Sequence, residues 1–317
     1  MEKENDTEII DFLFDSIKKI FNKNKYIISI LALPQNKQKI FQKLISDLYE
    51  DNKAILYVLG NKNDRKYVLD DITNIKVDFI DFSEISEIKK KYYLVIWDDV
   101  TSLVDLTKEQ KIDMIQQIKK LSKRTIIYTI EKLIDEGEIV DLAPIQIKTP
   151  FVEPRVIQTR VNLCEDIPYI LYEYIEWFIR EKKKIVIYVP NEEALNKVYS
   201  YYQKKIKLKY VEIVPISKNE DENFIRDILK NKNEATIIIT DNVCALFEDT
   251  NINGAIVLFA DDEFYSTRKL LFLCGEIYRI NKDLPEVLLV AKTESESMDR
   301  IKAITRNINK RVWKESF

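Results

Sequence analysis

Tyr92-Tyr93-Leu94-Val95-Ile96-Trp97-Asp98-Asp99-Val100 is an unbroken apolar and aromatic run closed by two adjacent carboxylates. A run with no polar alternation reads as a strand buried on both faces, as the strands of a parallel sheet are. Parallel sheets bind ligands in the crevice beyond the carboxyl ends of their strands. Asp98 and Asp99 are therefore expected at the mouth of a cleft, where phosphate-bound Mg²⁺ sits in nucleotide-hydrolysing proteins. The competing reading is local, because Asp also suits the turn or helix cap that follows a strand.

The flanking segments support the sheet. Ile9, Ile10, Phe12, Leu13, Ile17, Ile20 and Phe21 have helical spacing. Strands are expected at 26–33, 54–59, 77–82, 92–98 and 125–129. Asn36 is placed to cap a helix running to about Tyr49, and Thr107 one running to Leu121. Strand–helix alternation of this kind predicts an α/β fold with parallel sheets. Pro144, Pro150 and Pro154 then interrupt the pattern between Ala143 and Arg155, a segment expected to be neither helix nor central strand. The interdomain linker is placed there, giving domains 1–150 and 151–317. The second half repeats the grammar, with strands expected at 156–161, 185–189, 211–214, 236–240, 255–259 and 287–290. Helices are expected at 167–179, 192–205, 222–229, 263–278 and 294–313, the last of them basic.

Composition removes whole classes of chemistry. The chain has no histidine, which excludes Ser-His-Asp triads, histidine metal sites and histidine general bases. Cys164, Cys244 and Cys274 are too dispersed for a disulfide framework or a cysteine zinc site. A net charge of −3 argues against a strongly basic nucleic-acid binder, though not against local basic patches. Only 4 glycines occur, few for a protein whose backbone must approach phosphate closely. With no long apolar run and a polar N-terminus, a cytoplasmic protein without a membrane span is expected.

The order of segments resembles a superfamily 2 helicase core, most closely the ComFA late-competence DNA helicase family. The second half carries the better match: Glu153-Pro154-Arg155-Val156, Lys184-Ile185-Val186-Ile187-Tyr188-Val189-Pro190, Thr236-Ile237-Ile238-Ile239-Thr240, and the closing segment from Met298 through Ile301 and Ile304 to Asn309. The resemblance implies two tandem RecA-like lobes of the P-loop NTPase type. It also implies ATP and Mg²⁺ as cofactors, Asp98 as metal ligand, and Asp98, Asp99 and Arg279 as catalytic residues. Its phosphate loop falls on Asn36, Lys37, Gln38 and Lys39.

The departures are as informative as the match. The family's phosphate loop is glycine-rich and ends in Gly-Lys-Thr. Here Ala32-Leu33-Pro34-Gln35-Asn36-Lys37-Gln38-Lys39 has no glycine, and Pro34 removes a backbone donor. Asp99 stands where the family has Glu, and a side chain one methylene shorter sits about 1 Å out of place, which can cost ~10²-fold. Thr101 replaces a later acid, and the coupling motif is reduced to Tyr128-Thr129-Ile130. The fifth motif, at Asp241 to Glu248, lacks its Arg-Gly pair. In the sixth, Gly275 and Arg279 survive while Glu276 replaces an arginine. Any ATP and Mg²⁺ binding is therefore expected to be weak.

Two basic stretches are candidates for single-stranded DNA: Lys204, Lys205 and Lys207 among the tyrosines of 199–210, and Arg306, Lys310 and Arg311 on the last helix. The reading is a helicase-like nucleic-acid-binding pseudoenzyme, with a competence or DNA-processing protein as a further expected partner and DNA uptake as its setting. The alternatives are an active ATP-dependent single-stranded DNA translocase with divergent motifs, and an unrelated bilobal transferase.

Overall fold

The computed structural model describes residues 2–34, 39–61, 65, 68, 77–147, 149–204, 206, 208, 210–218, 235–243, 252–280 and 285–316, with side chains from residue 7 to residue 314. It divides into two units, Met1–Lys148 with Lys310–Phe317, and Thr149–Asn309.

The first unit contains, in order, α1 (Glu2–Asn22), β1 (Ile27–Leu31), α2 (Gln42–Glu50), β2 (Ile55–Leu59), β3 (Asp78–Asp81), a 3₁₀ turn (Phe82–Glu87), β4 (Tyr92–Asp98), α3 (Lys108–Leu121), β5 (Ser122–Thr129), β6 (Glu138–Asp141) and α4 (Ala143–Gln146). Its strands form one six-stranded sheet in the order β3-β2-β4-β5-β1-β6, and every pairing is parallel. β4 lies inside the sheet, with Ile96 opposite Tyr57 on β2 and Ile126 on β5. Leu94, Val95 and Ile96 are fully buried, as the apolar run requires. On one face Val95 and Trp97 share a core with Leu56, Val58, Met114, Ile115 and Ile118. Met114, Ile115 and Ile118 form the apolar stripe of α3. That helix starts where Thr107 and Gln110 exchange side-chain-to-backbone hydrogen bonds, a capping box.

The second unit contains β7 (Arg155–Gln158), α5 (Tyr169–Arg180), β8 (Lys184–Tyr188), α6 (Glu192–Lys204), β9 (Val211–Ile216), β10 (Ala235–Thr240), β11 (Ile252–Leu258), α7 (Thr267–Ile280), β12 (Glu286–Ala291) and most of α8 (Glu296–Ser316). Its six-stranded sheet has the order β7-β12-β11-β8-β10-β9 and is also parallel throughout. Pro215 is tolerated within β9 because β9 is an edge strand. The fold is thus α/β, two tandem RecA-like lobes with parallel sheets.

Some expectations need correction. The proline-bearing segment is not free of helix: Ala143–Gln146 makes one turn, with Pro144 in the first turn, where a missing N–H costs nothing. Asp141 Oδ1 accepts the Ala143 N–H at 3.0 Å and closes that turn. β6 was not expected at all, being too short for periodicity to show. α2 begins at Gln42 rather than at an Asn36 cap, and Asn36 itself lies outside the described residues, as does the helix expected at 222–229.

Gly60 closes β2 against the loop that follows Asp99. A Cβ there would stand 2.4 Å from Ser102 Oγ and 3.0 Å from Ser102 Cα. Gly60→Ala is expected to destabilise the fold by about 1–3 kcal/mol through overpacking, read from urea unfolding. Ser102→Gly in the same chain should recover part of that loss.

Candidate functional site

The carboxyl edge of the first sheet gathers the chemistry. Asp98 ends β4 and Asp99 follows it, and they are 2% and 1% exposed. A carboxylate in that position needs hydrogen-bond donors or a cation, since a bare buried charge is prohibitively costly.

The two acids meet that need differently. Asp98 accepts from Tyr57 Oη at 3.1 Å on one oxygen and from the Thr101 backbone N–H at 3.0 Å on the other. Burial pushes its carboxyl up to about 6, and the Asp99 charge adds to this, while the Thr101 and Tyr57 hydrogen bonds pull the other way. Burial also raises the Tyr57 phenol well above its ordinary range, and the Asp98 charge adds to that, so Tyr57 stays a donor. Asp99 Oδ2 accepts from Lys111 Nζ at 2.8 Å and from Thr129 Oγ1 at 3.1 Å. Both partners of the Lys111–Asp99 ion pair are buried. The Asp99 backbone N–H donates to Tyr128 O at 2.8 Å, which continues the β4–β5 ladder past the end of the strand.

Sequence reasoning missed Lys111. Its signal is positional: Lys111, Met114, Ile115 and Ile118 are the buried residues of α3, so a lysine occupies the first place of an apolar stripe. Tyr57 was missed for a similar reason, as one more aromatic in a strand.

β1 leads into the expected phosphate loop. The Ala32 N–H is bonded to Thr129 O at 3.0 Å, and the Leu33 N–H to Gln146 Oε1 at 3.3 Å, so both donors are already committed inside the lobe. Lys37 and Gln38 lie outside the described residues, like Asn36, and Lys39 is half-buried just before α2. The described residues do not fit a Mg²⁺–triphosphate well: the Ala32 and Leu33 N–H groups are spent inside the lobe, and Asp99 Oδ2 already holds an ammonium and a hydroxyl. No group of ≥ 3 metal-ligating side chains occurs among the described residues.

The remaining expected site residues fall elsewhere. In the second unit, Arg279 Nη2 donates to Glu276 Oε2 at 2.9 Å, pairing a half-exposed guanidinium with a buried carboxylate one helical turn earlier. Lys204 is exposed at the end of α6, and Lys205 and Lys207 lie outside the described residues. Arg306 Nε donates to Glu153 Oε2 at 3.1 Å. Lys310 is exposed. Arg311, in the first unit, sits 3.5 Å from Asp141 Oδ2 and donates to Ile130 O at 3.3 Å. Cys274 is buried, Cys164 half-buried, and Cys244 outside the described residues. No described helix is long and apolar enough to cross a membrane.

No protein-family model matches the sequence, and no curated protein matches it. Two solved structures align with the chain. RecG bound to a three-way DNA junction aligns over 91% of this chain at 15% identity with a TM-score of 0.39. This chain spans 39% of that RecG chain. The S. cerevisiae Dbp5 bound to RNA and ADP BeF3 aligns over 90% of this chain and 83% of its own, at 10% identity with a TM-score of 0.47.

Two outcomes test the site. A carboxyl whose folded pKa is raised stabilises the fold while protonated, and that stability is lost as pH rises through the folded value. For Asp98 the window runs from its ordinary 3.8 to about 6, worth about 3 kcal/mol. Asp98→Asn should therefore raise the melting temperature at pH 7.5 and have little effect near pH 3.5. Lys111→Met strands the Asp99 charge and is expected to cost about 3–5 kcal/mol. Adding Asp99→Asn should return most of it, measured by chemical denaturation.

Proposed function

We propose that this chain is a helicase-like nucleic-acid-binding protein of the superfamily 2 type, most like the ComFA late-competence helicases, that has lost ATP hydrolysis. One observation carries the reading: Asp99, at the position of the family's water-activating acid, is held in a buried ion pair with Lys111 and shares the same oxygen with Thr129. A carboxylate in that state is a structural counter-ion and not a base aimed at a nucleophile, since a general base must reach the proton it takes.

Other features support the same reading. The Leu33 N–H is spent on Gln146, and the only arginine kept from the sixth motif is neutralised by Glu276. Phosphoryl transfer depends on positioning and charge compensation, and both are removed here. Asp98, fully buried and hydrogen-bonded on both oxygens, serves the fold in place of a metal. The nucleic-acid half of the proposal rests on exposed Lys204 and Lys310, with Lys205 and Lys207 close to the first in sequence and Arg306 and Arg311 close to the second in sequence. A competence or DNA-processing protein is the partner proposed for such a chain.

Phosphate release is the assay, with and without single-stranded DNA, using Asp98→Ala as the contamination control. Losing one transition-state donor typically costs ~10²–10³ in rate, so the wild-type rate should match that of Asp98→Ala. Robust DNA-stimulated turnover that Asp98→Ala abolishes would overturn the proposal in favour of an active translocase.

A further inference from the structure

The amino-terminal edge of the first sheet, opposite the end that carries Asp98 and Asp99, gathers cations that no carboxylate among the described residues neutralises. Tyr93, at the start of β4, has three around its ring. Lys53 Nζ lies 5.4 Å from the centroid, Lys123 Nζ 5.8 Å and the Arg124 guanidinium carbon 5.1 Å. Lys53 precedes β2, and Lys123 and Arg124 open β5, so the cluster spans three adjacent strands. Arg124 also lies 4.3 Å from the Phe21 ring and donates to Phe21 O at 3.3 Å, which fixes it in place.

Among the described residues, Lys53, Lys123 and Arg124 form no ion pair with an acid. Their neighbours differ in this respect: Lys25 pairs with Glu138, Lys90 with Asp78 and Lys119 with Glu136. Lys91 and Lys120 extend the positive row, the Lys91 ammonium donating to the Lys120 carbonyl. The row ends at Tyr26, 55% exposed, whose carbonyl accepts the Thr125 N–H at 2.8 Å and which therefore stands beside Arg124.

Like charges this close repel one another. The Tyr93 face offsets part of that cost, and the C-terminus of α3 offsets part for Lys120. The rest is uncompensated by the described residues of the lobe, which is the condition of a surface built to meet an anion.

We propose that this edge binds the phosphate backbone of single-stranded nucleic acid, with Tyr26 as a stacking platform for a base. Neighbouring strands are 4.7–4.9 Å apart, so the row from Lys53 to Tyr26 crosses about 14 Å. That is an elongated track for a chain of phosphates and not a pocket for one. Cations in a row with an exposed ring at one end are the elements by which proteins hold single strands regardless of sequence. The Tyr93 ring, occupied by cations, positions them and does not stack. The site shares with the function proposed above only the class of its ligand, and none of its residues.

The test is fluorescence anisotropy of a labelled oligothymidylate with the full chain, over a salt series. Lys53→Glu/Lys123→Glu is expected to weaken binding by roughly tenfold or more and to reduce the salt slope by about 1.4, the value for two lost single-strand phosphate contacts. Tyr26→Ala should weaken binding a few-fold and leave the slope unchanged, and circular dichroism melts should match the wild type for both variants. Unchanged affinity in Lys53→Glu/Lys123→Glu would overturn the edge site. If Lys204→Glu/Lys310→Glu weakens binding in that case, the general nucleic-acid reading survives without it. Equal competition by polyglutamate would overturn nucleic acid as the occupant and point to an acidic polypeptide. Failure of the wild-type chain to bind the oligonucleotide at any salt would overturn both readings.

Discussion

A strand buried on both faces ends somewhere, and in this protein β4 ends in two carboxylates that stay buried. Much of the first lobe answers that constraint. Tyr57 reaches across from β2 and the Thr101 N–H turns back to satisfy Asp98, while α3 delivers Lys111 and β5 delivers Thr129 to Asp99. These four groups come from both neighbouring strands, the following loop and the covering helix. The pair of acids therefore ties together every element that surrounds the end of β4. A buried ion pair of this kind adds less to stability than an apolar replacement could, but removing one partner is severe. Its effect is to specify which helix position meets which strand end.

The same logic recurs in the second lobe on a smaller scale. Glu276 is buried on α7, and Arg279 reaches back one turn to pair with it. In both lobes a charge that the resemblance assigns to nucleotide chemistry is answered from within its own lobe. The chemistry of these sites is thereby turned inward, while the cations around Tyr93 lie at the other end of the first lobe's sheet. Acidic residues end three of its strands, at Asp81, Asp98 and Asp141, and basic residues precede or open the middle ones at Lys53, Lys91, Lys123 and Arg124, while the outer strands β3 and β6 open on Asp78 and Glu138. A parallel sheet keeps such a polarity because all its strands point the same way, so one-sided charge at strand starts accumulates along one edge.

Local sequence revealed much of the fold. The bounds of β4, the Thr107 cap and the C-terminus of α3 were all readable, because an apolar run, a capping box and an apolar stripe each express their structure within a few residues. β6 and α4 were not, since a four-residue strand held by pairing to β1 and a single turn closed by Asp141 have no period to detect. Asp98 and Asp99 could be placed at a strand end from sequence alone. Their different fates could not, because the donors Tyr57, Lys111 and Thr129 are distant in the chain.

The amino acids by themselves determined that this chain makes parallel α/β lobes, that histidine chemistry is absent and that the phosphate loop has no glycine. Those properties follow from side-chain type and local spacing, which need no third dimension. Only the tertiary structure decided that Lys111 neutralises Asp99, that Gln146 takes the Leu33 N–H and that three cations crowd around Tyr93. Each of those depends on the order in which strands join the sheet. Strand order is a property of the whole lobe, set by which buried surfaces fit together, and no short stretch of sequence carries it.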